Sequence, residues 1–264
     1  MVWRAAVKLA YDGRSFMGSQ RQPGERTVES ETIAALRSIG AIDSTLSSRF
    51  RFASRTDRGV SALGNVAAFD TSFSSKALLR AMNSAAEEVY FYAAAEVPAT
   101  FSPRRAKGRW YRYLLPARGL DPTKVAECGA AFQGRHDFHR FCKPDGRATV
   151  KGLDSVQVVE ADGILVIDIR GREFLRNMVR RMVAAMSKVG GGKATVAEVM
   201  AALEGKDISF GLAPPEGLTL MDIEYGFPFT CEYPPTMARR AEEYRLDAYS
   251  RLLFADALLH RCGK

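Results

Sequence analysis

Cysteine is scarce in this sequence and follows no pattern. Four occur in 264 residues, at Cys128, Cys142, Cys231 and Cys262, and no two stand as C-x-x-C. That excludes a disulfide-framework protein and makes a reducing compartment the simpler expectation. Histidine is rarer, with three residues in the chain. His136, His139 and Cys142 lie three apart and could begin a metal site, but no fourth ligand is near them, so no metal is expected. No apolar run approaches the roughly eighteen residues of a membrane-spanning helix. The opening MVWRAAVKLAYDG is too polar for a secretory leader, so the cytoplasm is the expected location. Short-period repeats and low-complexity tracts are also missing. KVGGGKAT at 188–195 has the air of a phosphate loop. However, Ser187 stands where its first glycine should be and Ala194 follows the lysine, so the glycines read as a helix stop.

Positive charge and apolar residues are plentiful. The formal net charge is +8, and 28 of the 38 basic residues are arginine. Arginine's planar fork suits phosphate, so this excess favours a nucleic-acid partner over a lysine-type surface. With 47% hydrophobic residues the chain can bury a sizeable core. Trp3, Ala5, Val7 and Leu9 alternate with Arg4 and Lys8, the period of a half-buried strand ending at Asp12-Gly13. Thr27 caps a predicted helix that stops at Gly40. Short strands follow at Phe50–Phe52 and Val66–Phe69, then a helix over 75–85 and a strand over 89–96. In the second half a strand is predicted over 110–115, and a helix from Asp121-Pro122 to a stop at Gly134. Asp162-Gly163 joins strands 156–161 and 164–170 as a hairpin. Helices are predicted over 174–189 and from the Thr195/Glu198 capping box to Gly205. A last strand covers 218–225, and an amphipathic helix follows Pro234-Pro235. Directly linked strand pairs with helices between them predict an α+β fold. The boundary is expected near Pro98–Arg105, giving halves 1–103 and 104–264.

Asp57 sits in a predicted loop between Arg55 and Arg58 and ahead of Gly59. Such a D-x-G is a common turn, so spacing alone does not assign it chemistry. Five segments in order carry more. They are YDGRSFMGSQRQ at 11–22, SRTDRGVSALGNV at 54–66, RWYRYLL at 109–115, FLRNMVRRMV at 174–183 and PEGLTLMDIEY at 215–225. Together they resemble the tRNA pseudouridine synthase A family, whose hallmark is R-T-D-x-G-V-x-A. The resemblance implies two similar halves, each with a mostly antiparallel sheet and helices on one face, an active-site cleft between them, and a homodimer. It implies isomerisation of uridine to pseudouridine in the anticodon stem-loop of tRNA, at positions 38–40.

That reaction breaks a glycosidic C–N bond and forms a C–C bond to the same base, so neither a redox cofactor nor a metal is required. It needs an ionised carboxylate beside the sugar and a base taken out of the stack. By resemblance Asp57 is the catalytic carboxylate and Arg180 its partner. Tyr111 stacks on the uracil, and Arg55, Arg58 and Arg104 hold RNA. Arg105, Lys107 and Arg109 look like further phosphate contacts. Arg176 and Arg180 are expected one turn apart on the helix over 174–189, projecting to one side. Ser19, Ser54 and Ser61 depart from the family pattern, which usually has Trp, Gly and His there. A synthase acting on other RNA uridines and a non-catalytic RNA-binding relative are the rival readings.

Overall fold

The computed structural model describes residues 1–262. In chain order its elements are β1 (Trp3–Tyr11), α1 (Val28–Ser38), β2 (Arg51–Phe52), β3 (Ser61–Thr71), α2 (Ser75–Ala85), β4 (Val89–Val97), β5 (Gly108–Pro116), α3 (Pro122–Ala130), β6 (Gly134–Asp137), β7 (Val150–Ala161), β8 (Ile164–Gly171), α4 (Met178–Gly190), α5 (Val196–Leu203), β9 (Leu218–Glu224), β10 (Thr230–Cys231) and α6 (Pro235–Arg261). The fold is mixed α+β around one mostly antiparallel ten-stranded sheet, ordered β10-β4-β1-β3-β9-β5-β8-β7-β6, with β2 paired to β3.

Two short pairings join strands of the two halves: β10 with β4, antiparallel, and β3 with β9, parallel. Ser61 and Ala62 of β3 pair with Thr219 and Leu220 of β9. Every other strand pairing among the described residues is antiparallel. β1 lies inside the sheet, and Ala5, Ala6, Val7 and Leu9 are all fully buried. The alternating pattern had suggested a half-buried strand. Instead its polar face is covered as well: Arg4 donates to Asp70 at 2.8 Å and Lys8 pairs with Asp222. Alternation shows that two faces differ, not that one is open to water.

Local chemistry explains several element ends. Thr27 accepts from Ser30 N and Thr195 from Glu198 N, each closing a capping box. Asp162 and Gly163 both take positive φ, 52° and 73°, which matches the twist of the β7–β8 hairpin. The glycines at 190–192 do end α4, and Gly190 does more than stop it. A Cβ there would lie 2.3 Å from Val125 Cγ2, so α3 and α4 can only cross this closely at glycine.

Three expectations are corrected. α4 begins at Met178, not near Phe174, because Asn177 adopts a left-handed conformation (φ 63°) that turns the chain into the helix. Arg176 therefore precedes the helix and does not share a helical face with Arg180. Helix α3 ends at Ala130, and Gly134 (φ 88°) opens the short strand β6. Finally, α6 is not amphipathic against the core. None of its residues is buried, and Leu252, Leu253 and Phe254, about 100° apart in turn around the axis, are all more than half exposed. It holds to the body through polar contacts, with Arg240 donating to Asn83 O and Ala86 O and Tyr244 donating to Asp12. No described helix is long and apolar enough to cross a membrane.

Candidate active site

Asp57 stands in an irregular turn between β2 and β3. Val60 N donates back to Asp57 O at 3.1 Å, and Gly59 N reaches Gly13 O at 3.2 Å. Gly59 has φ 83°, and a Cβ there would press to 2.9 Å of Pro215 Cγ, so glycine is required by both conformation and space. The turn is thus held between the segment after β1 and the strap ahead of β9.

Arg180, on the first turn of α4, reaches the carboxylate from the other half of the chain. Its Nη1 donates to Asp57 Oδ2 at 3.3 Å, across 123 positions of sequence. Its Nε donates to Ala213 O at 2.8 Å, and Ala213 N donates to Arg180 O at 3.1 Å, so the strap grips this residue at both ends. The guanidinium is 12% exposed and the carboxylate 33%. Arg180 is therefore set into the wall while Asp57 faces the opening. Among the described residues nothing donates to Asp57 Oδ1, which leaves that oxygen open on the solvent side.

Tyr111 lies on the helix-facing side of β5, buried, with its ring edge-on to Phe174 at 4.9 Å between centroids. Burial pushes its phenol pKa up. The charge of Arg109 and a hydrogen bond with Ser54 oppose that rise, and the nearby negative charge of Asp57 adds to it. The hydroxyl end of the ring therefore sits in the electrostatic reach of the carboxylate.

Arg55 and Arg104 are exposed and line one groove with Arg21, Arg51, Ser19 and Phe52, about 320 Å³ in volume. Asp57 does not itself line this groove; Arg55, two residues before it, links the groove to the loop that carries the carboxylate. Arg58 is exposed and does not line it. Arg105 and Lys107 are exposed beside Arg104. Arg109 has a different place from the one expected. Its guanidinium donates to Ser54 Oγ, Arg172 O and Arg104 O, which leaves little of its fork for a phosphate. Sequence reasoning had not singled out Arg21, Arg51 or the Ala213–Pro215 strap. Arg21 lies inside the first family-like segment, and Arg51 stands between the two strand-marking phenylalanines.

The histidine-cysteine group is taken up by the fold. His136 Nε2 contacts Gln133 O at 2.7 Å, and the buried Cys142 thiol points at His139 O. No group of three or more His, Cys, Asp or Glu residues suited to a metal occurs among the described residues.

Comparison with known proteins decides the family. The pattern of a family described as tRNA pseudouridine synthase matches residues 130–226, a stretch that holds Arg180 and the Ala213–Pro215 strap. A tRNA pseudouridine synthase A of Pyrococcus abyssi is 44% identical over 247 residues, 91% of this chain and 92% of that protein. The chain belongs to the tRNA pseudouridine synthase A family. A member from Thermococcus kodakarensis is 42% identical over 97% of both chains, and one from Methanosarcina acetivorans is 41% identical over 84% of this chain and 85% of its own. The likeness therefore runs through both halves and is not confined to one module.

Proposed function

We propose that this member of the tRNA pseudouridine synthase A family isomerises uridine to pseudouridine in tRNA, with Asp57 as the catalytic carboxylate. One observation carries the reading. A partly exposed carboxylate with one open oxygen is paired to a mostly buried arginine from the other half of the chain, and an arginine-lined groove holds Arg55, two residues before that carboxylate. Binding RNA alone gives no reason to place a negative charge there.

The reaction balances without a co-reactant. The C1′–N1 bond breaks, the uracil turns, and a C1′–C5 bond forms; C5 loses a proton and N1 ends with one. Attack on the sugar carbon and removal of a sugar proton both need an ionised carboxylate beside the ribose, and Arg180 supplies its counter-charge. Arg55 holds the extruded nucleotide, Arg104 and Arg58 contact the RNA backbone, and the edge of Tyr111 lies against the base. The halves 1–103 and 104–264 act as two walls, because Asp57 comes from the first and Arg180 from the second. The chemistry calls for neither metal nor cofactor. The target is the 3′ side of the anticodon stem-loop, the enzyme works in the cytoplasm, and it acts as a homodimer, a reading supported by the apolar surface that α6 leaves uncovered.

The test is to incubate purified protein with unmodified tRNA and map pseudouridine along it. The expected product is at positions 38–40, persisting after chelation so long as the tRNA stays folded. Tight tRNA binding with no pseudouridine at any position would leave only a binding protein.

A further inference from the structure

The stretch Ser54–Asp57 belongs to no helix or strand, so its backbone groups must be satisfied from outside. For Thr56, the residue before the carboxylate, one side chain does most of this. Thr56 N donates to Ser19 Oγ at 2.7 Å, while Thr56 O accepts from Ser19 N at 3.1 Å and from Ser19 Oγ at 3.3 Å. The Ser19 hydroxyl thus acts as acceptor and donor on the N–H and C=O of a single residue, gripping the two peptide units that flank it, which alanine cannot do. Gly18 (φ 99°) brings this segment flush to the loop, since a Cβ there would already be 3.3 Å from Thr56 O.

The other side of the loop is held from β1 and β3. Asn65 Nδ2 donates to Ser54 O at 3.0 Å and to Tyr11 Oη at 3.2 Å, and its Oδ1 accepts from Ser54 N and Val66 N. Those partners fix which end of the amide is which. Tyr11 therefore accepts from Asn65, and its hydroxyl shares a hydrogen bond with Thr56 Oγ1, 2.9 Å away. Burial pushes the Tyr11 phenol up to about 12, so it stays neutral in the physiological range. Ser19, Tyr11 and Asn65 are 2%, 4% and 0% exposed; Ser19 alone borders the groove, and its hydroxyl is committed to Thr56.

We propose that Ser19, backed by Tyr11 and Asn65, is a positioning residue that sets where the Asp57 carboxylate stands. None of the three hydrogen-bonds to Asp57 itself. Arg180 holds that group by one contact of 3.3 Å, too long to fix it alone. A misplacement near 1 Å costs on the order of 100-fold in rate, so a clamp on the preceding residue has leverage over the chemistry. It also gives a role to Ser19, where the family usually carries a tryptophan.

The inference rests on Asp57 being the catalytic group, so Asp57→Asn is measured alongside. Ser19→Ala, Ser19→Thr and Tyr11→Phe are compared for single-turnover pseudouridine formation at saturating tRNA, for tRNA affinity and for thermal unfolding. Ser19→Ala and Tyr11→Phe should each turn over roughly ten-fold slower or worse, with affinity within about two-fold of the parent. Ser19→Thr, which keeps the hydroxyl, should recover most of the rate. If Ser19→Ala does not fold, Tyr11→Phe, which loses one oxygen and keeps the ring, decides the matter together with Ser19→Thr. Parent-like saturated rates in the folded variants would overturn the positioning role, as would Ser19→Thr being no faster than Ser19→Ala. Turnover by Asp57→Asn would instead overturn the catalytic reading beneath it.

Discussion

Residues 53–60 contain no helix or strand, whereas α6 is the longest regular element, at 27 residues. Yet the loop is the better held of the two. Its peptide groups and turn residues are tied to Ser19, Asn65, Gly13 and the strap at Pro215, mostly out of water. Helix α6 buries none of its residues fully; only its first turns meet the body, at the half-buried Thr236 and Met237 and the polar anchors Arg240 and Tyr244. Regular hydrogen bonding within a segment and fixed position in the molecule are thus separate properties. A site that must place one carboxylate draws on the second, through contacts distant in sequence.

The sharpest way to break this contrast is to loosen the site from its far wall. Arg180→Met removes the counter-charge and the link to Ala213 while filling a similar volume. Turnover at saturating tRNA should fall on the order of 100-fold, or about 2.7 kcal/mol of barrier, with affinity little changed. A variant that altered only the salt dependence of binding would make Arg180 a phosphate contact instead.

Tyr111→Phe probes the buried ring more gently, because the packing against Phe174 survives. It should bind tRNA like the parent and turn over roughly ten-fold slower, since only the hydroxyl, which feels the charge of Asp57, is lost. Parent-like turnover would reduce Tyr111 to a residue of the sheet.

How much of this was legible beforehand depended on how far apart the partners lie. The Asp162-Gly163 hairpin, the Thr27 and Thr195 caps and the extent of α2 could be read locally, because each is decided by neighbours within a few positions. The left-handed Asn177 could not, since Phe174 continues the helical spacing only through its burial against Tyr111. Nor could the redirected Arg109, whose acceptors at Ser54 and Arg172 are brought in by strand pairing. The family-like segments pointed to Asp57, Arg180 and Tyr111 as a group. The Ser19 departure read only as a mismatch, because its partner Thr56 lies 37 positions away and the bonds run largely to backbone.

At the exposed rim the effects should be smaller. Arg104→Ala is expected to weaken binding to any folded RNA several-fold and lower the salt slope by about one counter-ion, leaving saturated turnover intact. An unchanged slope would remove Arg104 from the RNA path. Smallest of all should be the effect on the fold of truncation after Arg245, which deletes the exposed far end of α6 and keeps both anchors. The unfolding temperature of the truncated chain should move by less than about 4 °C, while self-association weakens. A larger drop with unchanged association would mean that this helix is part of the folded core after all.

The central claim is that Asp57 performs the chemistry and the arginine groove merely brings RNA to it. Asp57→Asn keeps the side chain's size and removes its charge, so one variant separates the two roles. Single-turnover pseudouridine formation on unmodified tRNA, measured beside tRNA affinity, is the direct test. The expected result is no detectable product with affinity equal to or tighter than the parent, since a negative charge near phosphate is gone. Measurable turnover by the verified variant would contradict the assignment of Asp57.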